Sequence, residues 1–252
     1  MGRQVIGVVA GSTDASLGAG IVRPGSAVVG QDAGTVAGGR SLGIVLTDDA
    51  ARAIDLGDVV LDVSVPAASV AIAELAMERG RPIVVATTGL SKEQLAELRR
   101  FSERTAVLVA ANLSLGINLI ARLLPVIVRA LGPEYDVEIV EAHHHFKKDA
   151  PSGTAIRLAE AIAAGMERPL ADLEKFGRHG IDPRTPGEIG LHALRMGGNA
   201  GEHHVYFASE GEEIEIAHRA LSRETFARGG VRAARFLAGK PAGWYTMDDV
   251  LS

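Results

Sequence analysis

Residues 141–155 read Glu141-Ala142-His143-His144-His145-Phe146-Lys147-Lys148-Asp149-Ala150-Pro151-Ser152-Gly153-Thr154-Ala155, and their side chains mark the passage from a strand to a helix. Upstream, Asp136 to His143 alternates in polarity, so a strand there sets Val137, Ile139, Glu141 and His143 on one face and Glu138, Val140 and Ala142 on the other. Downstream, Ala155 to Gly165 is rich in Ala, Ile and Leu and predicts a helix. The Pro-Ser-Gly-Thr turn between them offers a hydroxyl and free backbone N–H groups at a helix start, a place that stabilises an anion such as a carboxylate. With imidazoles and ammonium groups alongside, the segment suits a multiply charged anion that must also receive a proton.

Toward the N terminus, strand and helix alternate over short links. Ala15 to Val22, Ser41 to Leu46, Asp58 to Val65, Pro82 to Thr87 and Ala106 to Ala111 are strand candidates, and the later ones are continuous apolar runs, as expected of a parallel sheet buried on both faces. Ala67 to Arg79 carries apolar residues at helical spacing and stops before Gly80; Ser91 to Arg104 predicts a helix opened by a Ser91…Gln94 capping box. This alternation indicates a doubly wound α/β sheet of Rossmann type. After Ser114 the pattern changes. Leu115 to Leu131 predicts a helix kinked at Pro125, Ala171 to Gly187 a long polar loop, and Glu188 to Arg195, Glu202 to Ser209 and Glu212 to Arg219 further strands of a mixed sheet. A final helix spans Arg223 to Leu237. The expected organisation is a dinucleotide-binding domain, 1–114 with 223–252, and an α+β substrate-binding and oligomerisation domain, 115–222.

The histidine segment resembles the signature of the dihydrodipicolinate reductase family, E-[AL]-H-H-x-x-K-x-D-A-P-S-G-T-A, and matches every specified position. Phe146 falls at a free position where some members carry a further histidine. Asp62-Val63-Ser64-Val65-Pro66, Ala86-Thr87-Thr88-Gly89, Ala111-Asn112-Leu113-Ser114-Leu115-Gly116, Gly201-Glu202-His203 and Ser222-Arg223-x-x-Phe226 resemble further family segments, in family order. The resemblance implies reduction of a cyclic imine-type dicarboxylate, 4-hydroxy-tetrahydrodipicolinate, on the path to diaminopimelate and lysine, by hydride from NADPH or NADH and a proton from the protein. It implies His143 as general acid, a role suited to an imidazole. Lys147 would offset developing charge, and His144, Gly153 and Thr154 would hold carboxylates. Lys148 is expected to be a solvated neighbour. Ala86, Thr87, Thr88, Ala110, Ala111, Asn112 and Leu113, at the C-terminal ends of expected strands, would hold the nicotinamide. Arg23, after the second strand of the family's sheet, favours a 2′-phosphate and hence NADPH. A homotetramer, closure of the two domains about a hinge, and a cytoplasmic setting are implied as well.

The departure from this pattern lies at the start. Met1-Gly2-Arg3-Gln4 resembles the end of the family's glycine-rich loop, with Gly2 to Gly11 the helix that follows. In that register the sheet is expected to lack its first strand and most of its phosphate cradle, pointing to a natural start further upstream or a shortened chain. A rival reading makes Val5 to Val9 the first strand and Gly11 to Gly20 the phosphate loop, although Gly11-Ser12-Thr13-Asp14-Ala15-Ser16 lacks the G-x-G-x-x-G spacing.

Composition narrows the classes. With 252 residues, 47% of them hydrophobic, the chain can bury a sizeable core, and a net charge of −5 argues against a nucleic-acid footprint. The absence of cysteine excludes disulfides, and apolar runs such as Ala106 to Leu113 are too short to cross a bilayer. Two other readings remain open at this level. His143 and His145 could share a strand face as an H-x-H metal site of a hydrolase, although no metal ligand is assigned. Alternatively, the chain could be a non-catalytic relative that binds ligand or partner subunits. Zinc content and dicarboxylate-dependent NADPH turnover discriminate among them.

Overall fold

The chain opens in a helix, α1 (Gly2–Ala10), so Val5 to Val9 are helical and the rival first strand is excluded. The computed structural model describes residues 1–252 as two compact units, Met1–Leu115 with Arg223–Ser252, and Gly116–Ser222. In the first, β1 (Gly20–Ile21), α2 (Ala33–Val36), β2 (Leu46–Thr47) and α3 (Ala50–Asp55) come next. The strands expected over Ala15 to Val22 and Ser41 to Leu46 are thus cut to two residues each, for a local reason. Asp32 caps α2 and also accepts the backbone N–H groups of Leu42 and Gly43, bending 41–44 into a turn with Gly43 at φ 70°. Gly18 and Gly20 allow β1 in at close range, since a Cβ there would collide with the Leu56 carbonyl and the Leu46 side chain.

The remaining alternation is β3 (Val60–Asp62), α4 (Pro66–Glu78), β4 (Ile83–Val85), α5 (Lys92–Phe101) and β5 (Ala106–Val109). Each strand is shorter than its apolar run; β3 ends where the Asp62 carboxylate accepts Ser64 N–H and turns the chain toward α4. The capping box expected at Ser91 and Gln94 is present in both directions.

The long helix α6 (Leu115–Leu131) runs unbroken through Pro125 and leads into the second unit. There β6 (Asp136–His143), α7 (Gly153–Gly165), β7 (Glu174–Phe176), β8 (Ile189–Arg195), β9 (Glu202–Ala208) and β10 (Glu213–Arg219) follow. The expected loop from Ala171 to Gly187 is corrected by β7, which pairs with β8 after the buried Leu173 anchors it. The sheet is mixed, in the order β10-β9-β6-β8-β7, with β6/β8 and β7/β8 parallel and β6/β9 and β9/β10 antiparallel. Its inner face packs Val137, Ile139, Ile189, Leu191, Val205 and Phe207 against α6 and α7. Those helices meet closely because Gly165 has no side chain to strike the backbone of Pro125.

The chain then returns to the first unit with α8 (Glu224–Leu237), β11 (Gly243–Tyr245) and α9 (Met247–Val250). The parallel order β11-β5-β4-β3 is covered twice: Ile83, Val85 and Val107 face Ala73, Ala76 and Leu98 of α4 and α5, while Val84, Ala106 and Leu108 face Ala233, Leu237 and Met247. This is the doubly wound architecture, its strands buried on both faces. β1 and β2 form a separate parallel pair.

Candidate active site

Register, more than sequence proximity, assembles the cluster in the second unit. Pairing of β6 with β8 sets Arg195 opposite His143, and pairing of β6 with β9 sets His203 opposite Glu141. Opposed residues share a face. The face of β6 that buries Val137 and Ile139 therefore continues as Glu141 and His143, as the alternation predicts, and turns from apolar to ionic.

Glu141 is 1% exposed, a position a carboxylate tolerates only with charged and hydrogen-bonding partners. It has three, through four contacts: Arg195 donates to Oε2 at 2.7 Å and to Oε1 at 2.8 Å, Ser152 N–H donates to Oε1 at 2.9 Å, and His143 Nδ1 lies 2.7 Å from Oε2. Burial alone would raise its pKa, but Arg195, His143 and the Ser152 N–H together hold the carboxyl below its ordinary value. The pKa of His143 is lowered as well, but with burial as the main cause. Burial lowers its pKa, the Glu141 anion opposes that, and Lys147 and Arg195 add to the lowering.

A second buried histidine backs the first. His203 stands edge-on to His143 at 5.3 Å between ring centres, with Nε2 3.0 Å from the Ser152 hydroxyl. That hydroxyl also accepts Ala155 N–H and caps α7. Burial pushes the His203 pKa down to about 3, so the ring is neutral at physiological pH.

The other motif residues occupy the loop and helix start around this core. Lys147 Nζ donates to both Asp149 carboxylate oxygens at 2.8 and 2.9 Å, which lowers the Asp149 pKa. His144 donates its backbone N–H to Asn199, while its enclosed Nδ1 has no protein partner. Gly153 and Thr154 form the first turn of α7, and a Cβ at Gly153 would meet nothing within 4 Å, so that turn is open. Lys148 is exposed, as expected. β6 ends at His143, and His145 lies beyond it against the exposed Phe146 at 3.9 Å between ring centres. The shared strand face on which the H-x-H reading depends does not form.

Gly201 completes the rim. It adopts φ 139°, and a Cβ there would stand 3.1 Å from His143 Nε2. Glu141, Gly201 and His203 lie in the family segments with no role of their own, Ser152 enters there only through its hydroxyl at the helix start, and nothing in the sequence marks Arg195 for this site. Arg195 lies 54 residues from Glu141, and only strand pairing brings them together.

In the first unit, Ala86, Thr87 and Thr88 follow β4, and Ala110, Ala111, Asn112 and Leu113 follow β5, at the C-terminal ends where open α/β sheets bind ligands. Thr87 is tied into the strand end itself. It is buried, and its hydroxyl is 2.6 Å from Ser69 Oγ and donates to Asp62 at 3.1 Å, while Ser69 also donates to Asp62. Leu113 is buried under α8, where Gly229 and Gly230 let the helix reach its carbonyl and side chain. Arg23 stands exposed two residues past β1, and α1 begins without a side-chain cap. Parallel strand ends, an uncapped helix N-terminus and an arginine after β1 together make a donor set that fits a phosphorylated dinucleotide.

Residues 1–113 match the family model for the N-terminus of dihydrodipicolinate reductase, and 116–251 the one for its C-terminus. A 4-hydroxy-tetrahydrodipicolinate reductase from Chromohalobacter salexigens is 48% identical over 253 aligned residues, covering 100% of this chain and 94% of the relative. One from Rubrobacter xylanophilus is 43% identical, with coverage of 100% and 94%. Among solved structures, dipicolinate-bound dihydrodipicolinate reductase from Paenisporosarcina sp. TG-14 superposes with a TM-score of 0.75 at 22% identity, over 100% of this chain and 95% of that one. A probable dehydrogenase from Thermotoga maritima shares the fold at a TM-score of 0.61 and 10% identity, over 98% of this chain and 88% of that one.

Proposed function

We infer how this molecule works from one premise: the chain belongs to the dihydrodipicolinate reductase family. It is an oxidoreductase that reduces 4-hydroxy-tetrahydrodipicolinate to tetrahydrodipicolinate with a nicotinamide cofactor, in the diaminopimelate route to lysine. The first unit carries the cofactor and the second the dicarboxylate. The observation that supports these assignments most is the cluster at the end of β6, where a histidine, its carboxylate partner, a lysine and an open helix start come from 13 consecutive residues, 141–153.

Each part has a task. The first turn of α7, with Gly153 N–H and Thr154, takes one substrate carboxylate, because the N–H groups and the dipole at a helix start both favour an anion there. His144, with its unpartnered Nδ1, adds a polar contact to the same anion. Lys147 exchanges Asp149 for substrate and offsets negative charge as it develops. When bound, the nicotinamide cofactor would supply hydride to the substrate ring, and His143 Nε2 is placed to give the proton that balances it, the 4-hydroxyl leaving as water.

Arg23 supports a preference for NADPH, since a guanidinium at that position pairs with a 2′-phosphate. Ala86, Thr88, Ala110, Ala111 and Asn112 frame the nicotinamide end, with Thr87 acting through its backbone. A homotetramer is supported by the face of the mixed sheet turned away from α7, which carries Glu138, His192, the half-exposed Leu194, His204 and Tyr206. A biosynthetic reduction that draws on reduced nicotinamide supports a cytoplasmic setting.

The test is NADPH oxidation in the presence of the dicarboxylate. His143→Ala is expected to lower kcat by roughly 10²- to 10⁴-fold, the range of general acid–base catalysis, with NADPH affinity unchanged. Undiminished turnover in that variant contradicts the role given to His143.

A further inference from the structure

We propose that Glu141, locked by Arg195 and the Ser152 N–H, is the positioning residue that holds His143 as its Nδ1–H tautomer and leaves Nε2 as the one nitrogen able to carry a proton to substrate. This deepens the reading above and rests on His143 being the acid.

The argument is an inventory of donors and acceptors. An ionised carboxylate only accepts. Both Glu141 oxygens are engaged by donors from Arg195, and Oε1 takes Ser152 N–H as well, so the group is ionised and the 2.7 Å contact to His143 requires hydrogen on Nδ1. The neutral ring therefore shows its lone pair at Nε2, beside Gly201, and a proton gained there is the only one the ring can pass on. The donors that freeze Glu141 come from a strand and a helix start, so the carboxylate cannot swing away from the ring.

Every charged or titratable group near the ring bears on when that proton is present. Glu141 on β6 favours it, while Arg195 on β8 and Lys147 in the loop oppose it. His203 on β9 is neutral, and His218 on β10, 6.5 Å from His203 between ring centres, is pushed down by burial. The free site thus leans toward an uncharged His143. A dicarboxylate bound beside the ring brings negative charge toward it, so substrate binding favours the protonated ring.

Two measurements test this. Nitrogen-15 NMR of histidine-labelled enzyme above pH 8, with the His143 signals identified by their loss in His143→Gln, is expected to show a protonated Nδ1 and a bare Nε2. The opposite tautomer overturns the proposal, whether or not His143→Ala is active. In Glu141→Gln, kcat is expected to fall roughly 10²-fold with the dicarboxylate KM within about 3-fold. The basic limb of the pH profile should move down by about one pH unit as the anion is lost. A carboxylate that merely anchors the loop would leave that limb in place, and an unmoved limb counts against the proposal. If the tautomer is as stated but His143→Ala keeps its turnover, the assignment of the acid fails while the positioning of the ring stands.

Discussion

Two buried carboxylates end strands in this molecule, and their partners differ in kind. Asp62, at the end of β3, is 5% exposed and is satisfied by the hydroxyls of Ser69 and Thr87 and by Ser64 N–H. Glu141, near the end of β6, is 1% exposed and is satisfied by a guanidinium, an imidazole and one backbone N–H. Neutral donors quench hydrogen-bonding capacity and fix a turn. Cationic partners also balance charge, and one of them can lose a proton. The first carboxylate therefore shapes a loop, and the second governs a titration.

Removing partners sharpens the contrast. Arg195→Ala leaves Glu141 buried without its main counter-ion and is expected to cost about 3–5 kcal/mol in urea unfolding, the usual penalty for breaking a buried pair from one side. A loss below about 1 kcal/mol would mean that Glu141 is as easily satisfied as Asp62. Acid stability gives an intermediate effect. His203 has a folded pKa depressed from 6.5 to about 3, so unfolding takes up a proton and stability declines as pH falls from 6.5 toward 3. Glu141, with its lowered pKa, adds a further loss once pH falls below its unfolded value of 4.5. His203→Gln is therefore expected to flatten the dependence of Tm on pH between about 6.5 and 4.5, where Glu141 is still ionised in both states. An unchanged slope would remove His203 from the account. The smallest effect belongs to the neutral cluster. Thr87→Val deletes one hydroxyl while Ser69 and Ser64 still serve Asp62, so about 1 kcal/mol of stability is expected to go. The cofactor KM should rise by a few-fold with kcat held, and a collapse of kcat would show that this loop takes part in the chemistry.

What could be read from the sequence tracks how local each structure is. The segments 115–131 and 136–143 fold over their expected spans because long periodic runs carry their own signal. The strands expected over Ala15 to Val22 and Ser41 to Leu46 shrink because Asp32 captures N–H groups ten and eleven residues away, which no short window reveals. β11 and α9 drew no expectation, although Thr246 and Asp249 form a capping box that could have flagged the helix. The same holds for the site. His143, His144, Lys147, Gly153 and Thr154 lie within one short stretch that reads as a motif, whereas Arg195 and His203, which enclose the Glu141–His143 pair, arrive from β8 and β9 through register.

Gly201 carries a consequence of its own. Its missing side chain leaves a gap the width of a methyl group over the outer nitrogen of His143, and its dihedral angle is one that other residues rarely adopt. Position 201 is therefore a keyhole of the proposed site: a side chain there would strain the backbone and press on the very nitrogen to which the proton's delivery is assigned.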